Sequence, residues 1–354
     1  MDYKHGGDIY TYKGMSDFSA NINPFGPSQK VMDAVSASAC QIGVYPDSRC
    51  KELRAALSRK EEVPGENLVF GNGAADLIFS LVFAEKPKKA VLTAPSFLEY
   101  AQALRAVGCE IIYHRLKEKE DFRLGEEYLE TLNGDVDMIF LCSPDNPTGQ
   151  EIEKGLLIKI IEKCQAHRIR LVLDECFYEF LEEQDHVLTP AEAMKTPWVF
   201  VLRAFTKMHA MPGLRLGYGI CSDQALLERL AFVRQPWSVS IAAQEAGLAA
   251  LEEVDRVKRT RSFVQAERSW MERRFQQMGV TIFPSAANYI LLKSEYDLFG
   301  LLKAQNILIR DCSNYEGLDR GYYRVAVKTR EENERLLKAL EAIYRKEGAE
   351  EGGA

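Results

Sequence analysis

Lys207 follows the apolar run 199–202, within Arg203-Ala204-Phe205-Thr206-Lys207 and ahead of Pro212-Gly213-Leu214-Arg215-Leu216-Gly217-Tyr218. A lysine after a strand is usually a surface cation. Here Thr206 offers a hydroxyl and Arg215 a planar guanidinium, and both suit a phosphate group. An amine beside a phosphate site at a strand end can condense with the aldehyde of a phosphorylated cofactor, which points to pyridoxal phosphate.

Other residues extend that chemistry. Asp174 ends the run Leu171-Val172-Leu173. Locally it reads as a cap or turn residue, but it also suits a carboxylate that keeps a pyridine nitrogen protonated. Ser143-Pro144-Asp145-Asn146-Pro147-Thr148-Gly149 is a loop stiffened by two prolines, from which Asn146 can reach the cofactor's phenolic oxygen. In Gly71-Asn72-Gly73-Ala74-Ala75, Gly73 and the backbone N–H groups of Ala74 and Ala75 open a helix and make a phosphate cradle. This is not the G-x-G-x-x-G dinucleotide pattern, so a nicotinamide enzyme is disfavoured. Phe97 either packs in a core or stacks on the pyridine ring. Arg324, inside Tyr322-Tyr323-Arg324-Val325-Ala326, is a cation in an apolar run, the usual situation of a paired or anion-binding arginine. A substrate carboxylate would suit it.

The elements around these residues alternate. Apolar runs at 67–70, 90–94, 110–114, 138–142, 171–174, 199–202 and 217–221 read as strands. Amphipathic stretches at 74–83, 98–107 and 154–167 lie between them. Such alternation implies an α/β fold with a mostly parallel sheet, whose ligands sit at the C-terminal ends of the strands. From about Pro236 the pattern changes to helices at 240–253 and 256–278, strands at 290–293, 307–310 and 322–327, and a closing helix at 331–345. This reads as a smaller α+β domain. The expected division is an N-terminal arm (1–39) packing on the small domain, a large cofactor-binding domain (40–235) and a small C-terminal domain (236–354). The Glu/Gly-rich tail from Lys346 is expected to fray.

Composition narrows the function classes. The 354 residues are 46% hydrophobic and carry a net charge of −7, which disfavours nucleic acid and anionic membranes as partners. No apolar run is long enough to span a bilayer, and the first residues contain no signal-like apolar region. The eight cysteines (Cys40, Cys50, Cys109, Cys142, Cys164, Cys176, Cys221 and Cys312) form no C-x-x-C pair. They read as reduced packing residues in a cytoplasmic protein, with no metal site.

In this order along the chain, the phosphate turn, aromatic, Asn-Pro-Thr-Gly loop, strand-end Asp174, Lys207, Arg215 and late Arg324 resemble the fold type I pyridoxal-phosphate enzymes, the aspartate-aminotransferase fold. The resemblance covers essentially the whole chain. Within that fold the chain resembles the histidinol-phosphate aminotransferase branch and, more narrowly, the L-threonine O-3-phosphate decarboxylases of cobalamin biosynthesis. His5-Gly6-Gly7, Asp17-Phe18-Ser19-Ala20-Asn21-Ile22-Asn23-Pro24, Tyr45-Pro46-Asp47, Pro236-Trp237-Ser238-Val239 and Arg310-Asp311-Cys312-Ser313-Asn314-Tyr315 carry the narrower likeness. The resemblance implies that Lys207 holds the cofactor as a Schiff base, Asp174 pairs with the pyridinium and Asn146 bonds the phenolic oxygen. It also implies that Ala74, Ala75, Thr206 and Arg215 hold the phosphate, Phe97 stacks on the ring and Arg324 takes the substrate carboxylate. His5 would help enclose a substrate phosphate. Relatives are homodimers, and Tyr45 would reach the other subunit's cofactor phosphate.

Two departures stand out. Phe177 replaces a tyrosine common three positions after the aspartate, and Ala204 replaces a frequent hydroxyl residue. The activity implied is decarboxylation of threonine phosphate. Histidinol-phosphate or related transamination and serine-phosphate decarboxylation are the alternatives within the fold, and a non-catalytic regulator is the alternative outside it.

Overall fold

The computed structural model describes residues 5–183 and 187–351. Its strands are β1 (Ser16–Asp17), β2 (Leu68–Asn72), β3 (Lys89–Ala94), β4 (Glu110–Arg115), β5 (Met138–Cys142), β6 (Arg170–Asp174), β7 (Val199–Ala204), β8 (Leu216–Ile220), β9 (Thr281–Ile282), β10 (Tyr289–Lys293), β11 (Ile307–Leu308), β12 (Arg310–Asp311) and β13 (Tyr322–Ala326). The central sheet has the order β2-β8-β7-β6-β5-β3-β4. Only β8 runs against its neighbours.

Alternation along each strand explains why this sheet is covered on both faces. In β5, Ile139 and Leu141 enter one hydrophobic cluster while Met138 and Phe140 enter the other. Leu171 and Leu173 against Val172 repeat the division in β6. With a side-chain period of two, a strand buried on both faces must be apolar at every position. Burying each such side chain contributes about 1.5–3 kcal/mol.

Register then brings the functional strand ends together. Cys142 pairs with Asp174 and Asp174 with Leu202, so the loops after β5, β6 and β7 leave from one edge. Arg203 secures that edge from beneath. It donates to Glu175 at 2.9 and 2.8 Å and to Glu61 at 2.7 Å, and Tyr218 donates to Glu61 at 2.7 Å. A buried guanidinium with this many carboxylate partners is held in one geometry.

A second sheet, β12-β13-β10-β9, lies against the long helix Val254–Gln277 and the closing helix Arg330–Glu351 around a separate core. The expected strand at 307–310 is two strands. Ile307 and Leu308 pair parallel with Ser16 and Asp17, while Arg310 and Asp311 pair antiparallel with Arg324 and Tyr323. The chain changes partner at buried Ile309, which periodicity cannot reveal because every residue from Ile307 to Arg310 is buried.

The arm is held by backbone as well as side-chain bonds. The Ala326 amide donates to the Phe18 carbonyl at 2.8 Å, and the Asn23 amide to the Lys207 carbonyl at 3.0 Å. The arm also contains the helix Gln29–Ser38, whose first turn is capped by the Ser28 hydroxyl. Its only buried residues are Val31 and Ser38, too narrow a stripe to be read in the sequence. That helix packs on the helix Ile241–Leu251, whose Ala243, Ala246, Ala249 and Ala250 belong to one core of the large sheet.

The closing helix continues to Glu351, past the point where fraying is expected. Lys346, Glu347, Ala349 and Glu350 are good helix formers that outweigh Gly348. Residues 352–354 lie outside the described residues. Among the described residues no helix is long and apolar enough to cross a membrane.

Candidate active site

A cavity of about 520 Å³ opens where the C-terminal strand ends, the second sheet and the arm meet. Lys207, Asp174, Asn146, Phe97, Ala74, Ala75, Thr206, Arg215, Arg324 and His5 all line it, although they come from segments spread over most of the chain. Gly73 stands behind the lining and Tyr45 lies elsewhere on the surface.

Asp174 is buried at the end of β6. Its Oδ2 accepts from the Tyr100 hydroxyl at 2.6 Å and its Oδ1 from the Cys176 amide at 2.9 Å. Burial pushes its carboxyl up, while the bonds from Cys176 and Tyr100 and the Lys207 charge oppose that rise. This is a carboxyl whose charge is settled by whatever cation stands in front of it.

Lys207 lies 5.4 Å over the Phe177 ring. Burial first, then the positive charges of Arg324 and Arg215, bring its ammonium down to about 8. It is therefore closer to a free amine at neutral pH than an ordinary lysine. Phe177 carries no hydroxyl, and its ring packs edge-on against Tyr289 at 5.1 Å.

The helix Ala74–Glu85 begins after Gly73, which has φ +82° and no side chain to cap the first amides. A Cβ on Gly73 would stand 2.4 Å from Arg215 Nη2. Glycine is needed there to bring the guanidinium to the helix N-terminus, a favourable place for an anion. Thr206 lines the same cavity.

Arg324 is buried in β13. It donates through Nη2 to the Ser19 carbonyl at 2.9 Å and through Nη1 to Asn146 Oδ1. Its Nε has no partner. With Oδ1 engaged, the NH2 end of Asn146 is the one that can serve a bound oxygen. The Asn146 loop is held in turn: Thr148 donates to Asp145 Oδ2 at 2.8 Å, and Tyr289 donates to the Asp145 carbonyl at 2.6 Å.

Four further lining residues, to which the sequence assigns no role, complete the polar wall. Tyr100 bonds Asp174, and its ring stacks on Phe140 at 4.8 Å. Arg310 is buried, with Nη2 donating to Asn314 Oδ1 at 2.7 Å and its guanidinium over the Tyr315 ring at 5.1 Å. Tyr315 itself is 3.5 Å from Asn146 Oδ1. Glu99 lies 3.5 Å from His5 Nδ1. A charged residue in the apolar run ending at Arg310 was a usable signal. Tyr100 and Glu99 sit in the ordinary first turn of an amphipathic helix and gave none.

The residues fit pyridoxal phosphate. An uncapped helix start, Arg215, Thr206, a carboxyl at the end of β6 and an amine with a lowered pKa line one cavity. Arg324 Nε and Asn21 Oδ1, of two more lining residues, are buried and unpartnered. Polar groups in that state await a polar ligand. Among the described residues no group of three or more His, Cys, Asp or Glu could hold a metal ion.

The chain is similar to known proteins. Residues 13–340 match the family described as aminotransferase class I and II. The threonine-phosphate decarboxylase of Salmonella typhimurium is 40% identical, covering 96% of each chain. The histidinol-phosphate aminotransferase of Symbiobacterium thermophilum is 31% identical, covering 95% of this chain and 93% of that one. The fold is that of the histidinol-phosphate aminotransferase from Sinorhizobium meliloti, solved in complex with pyridoxal-5'-phosphate. Its TM-score is 0.84 at 22% identity, over 92% of this chain and 90% of that one. The match over most of the sequence and the likeness to relatives along almost all of it agree with the geometry: the chain belongs to the class I and II aminotransferase family.

Proposed function

We propose that this chain is a pyridoxal-phosphate-dependent carboxy-lyase that converts L-threonine O-3-phosphate to (R)-1-amino-2-propanol O-2-phosphate. The observation that carries the reading is the pair of buried arginines, Arg324 and Arg310, in one cavity with Lys207. Two fixed cations beyond the cofactor site suit a small amino acid with two anionic groups. The 40% identical relative with that activity supports the same substrate.

When bound, pyridoxal phosphate supplies a protonated ring that accepts the electron pair left at the substrate's α-carbon. Lys207 Nζ is the atom that holds it covalently, and Asp174 keeps the ring nitrogen charged. Arg215, Thr206 and the amides of Ala74 and Ala75 take its phosphate, Phe97 covers a ring face, and Asn146 serves the phenolic oxygen. With Phe177 in place of tyrosine, Asn146 serves that oxygen without a tyrosine hydroxyl from that position.

Arg324 grips the substrate carboxylate and Arg310 the substrate phosphate. Together with the amine they fix three points, which sets the torsion about the N–Cα bond. That torsion would decide which bond at Cα is broken, and so whether decarboxylation or transamination follows. Lys207 Nζ would return a proton to Cα. His5 and the following glycines close the cavity from the arm.

The reading includes a cytoplasmic homodimer. Ile42, Val44, Tyr45, Phe232 and Trp237 are exposed, with Tyr45 and Phe232 at 77% and 91%. A surface this apolar suits a second copy, and Tyr45 would then serve the neighbouring cofactor phosphate. The eight free cysteines suit a reducing compartment.

Incubating the holoenzyme with L-threonine phosphate and no keto acid tests the activity. Release of carbon dioxide is expected. Turnover seen only with a keto acid would replace the reading with an aminotransferase.

A further inference from the structure

Glu99 and Asp17 are the charged side chains lining the cavity that this reading leaves without a task, and Asp17 is engaged locally, accepting from the Ser19 amide and hydroxyl. Glu99 lies in the first turn of the helix Leu98–Ala106, yet its side chain is only 16% exposed and lines the cavity. Oε1 stands 3.5 Å from His5 Nδ1. Oε2 is buried with no hydrogen-bond partner.

Groups from five directions face it. His5 comes from the arm, Arg310 from β12 and Tyr315 from the loop beyond. Lys207 comes from the segment after β7, and Asp174 from the end of β6. Burial outweighs the attraction of Lys207 and Arg310 and lifts the carboxyl to about 7. Arg310 is not spent on this carboxyl, since its hydrogen bonds go to Asn314 and to the Asp311 carbonyl.

An ionised carboxylate here would face the phosphate that Arg310 and His5 are placed to receive. Two like charges about 4 Å apart in such a setting weaken binding on the order of a thousandfold. Protonating a group that titrates near 7 weakens binding only about tenfold at pH 8. Protonation is the cheaper course, and a protonated Oε2 becomes a donor rather than an unpaired acceptor.

Resting on the functional reading above, we infer that Glu99 meets the substrate phosphate as a carboxylic acid, donating from Oε2 to a phosphate oxygen, so that binding a phosphate ester takes up one proton from solvent. The proton returns to solvent when the ester leaves. No bond is made or broken. At pH 8 the phosphate monoester is itself fully ionised, because its second pKa is about 6.

The test is calorimetry on the holoenzyme at pH 8 with 3-phosphonooxybutyrate, which keeps the carboxylate and phosphate but lacks the amine that would react. Comparing two phosphate-free buffers of different ionisation enthalpy gives the protons taken up. About 0.9 proton is expected for the wild type, the fraction ionised beforehand, and none with 3-hydroxybutyrate. Glu99→Gln, checked for unchanged cofactor absorbance, keeps a donor but cannot titrate. It should bind the probe without proton uptake and up to about tenfold more tightly than wild type at pH 8. Uptake near zero in the wild type, or undiminished uptake in Glu99→Gln, overturns the inference. So does failure to bind the probe by an enzyme that decarboxylates L-threonine phosphate. Absence of any turnover of L-threonine phosphate would instead sink the functional reading.

Discussion

Tyr100 donates its hydroxyl to Asp174 Oδ2 at 2.6 Å from a fully buried position stacked on Phe140. That hydrogen bond steadies the ionised form of the carboxyl. A hydrogen bond to a charged group is worth about 1.5–3 kcal/mol. Tyr100→Phe should therefore weaken pyridoxal phosphate affinity about 10- to 100-fold while leaving the fold intact. Titration of the cofactor against the apoprotein, followed by absorbance, checks this. Unchanged affinity would show that Tyr100 only fills space.

Lys207 offers a pH-dependent prediction. Its lowered pKa of about 8 means that the neutral amine, the reactive form, accumulates as pH rises through 8. The rate of covalent cofactor capture by the apoprotein should climb across that range and level off near pH 9. A midpoint near 10, that of an unperturbed lysine, would contradict the assignment. Lys207→Ala should leave no adduct after borohydride treatment, as read by mass spectrometry.

Arg324 and Arg310 should separate by ligand. Arg324→Ala should weaken carboxylate-bearing substrates most, and Arg310→Ala phosphate-bearing ones, each by about 100-fold for loss of a buried charge-assisted pair. Inhibition by (R)-1-amino-2-propanol O-2-phosphate, which lacks the carboxylate, discriminates between them. It should be lost with Arg310→Ala and largely kept with Arg324→Ala. Equal loss in both variants would remove the division of labour.

The exposed apolar residues Tyr45, Phe232 and Trp237 predict association. Tyr45 and Trp237 stack with centroids 4.5 Å apart, which already organises part of the surface. Sedimentation should give twice the 40.1 kDa chain mass. The double variant Phe232→Glu and Trp237→Glu should be monomeric and should bind the cofactor more weakly, since Tyr45 would no longer reach a neighbour's site. A monomeric wild type would count against both claims.

The sheet was legible because each strand is short, apolar and bounded by turn residues, and because a strand buried on both faces leaves no polar gap in its sequence. The cofactor constellation was legible for a related reason. Lys207, Asp174, Asn146 and Arg215 each follow or flank such a strand, at the edge where α/β sheets bind ligands. Less visible was anything set by long-range packing. The helix Gln29–Ser38 buries too little to mark itself, and the division of residues 307–311 between two sheets depends on Ser16 and Asp17, near the other end of the chain, pairing with Ile307 and Leu308 while Arg310 and Asp311 pair with the nearby Arg324 and Tyr323.

Lys207 illustrates the division best. Its position after β7 and its company of Thr206 and Arg215 follow from the order of residues alone, because local chain geometry places them at one strand end. Its amine character does not. That arises from burial and from the charges of Arg324 and Arg215, and Arg324 arrives from a strand more than a hundred residues later. The same holds for Tyr100 on Asp174 and for Glu99 beneath His5. Residue types and spacing declared the chemistry, whereas desolvation and through-space charge, which exist only once the chain has closed on itself, set the protonation states on which that chemistry runs.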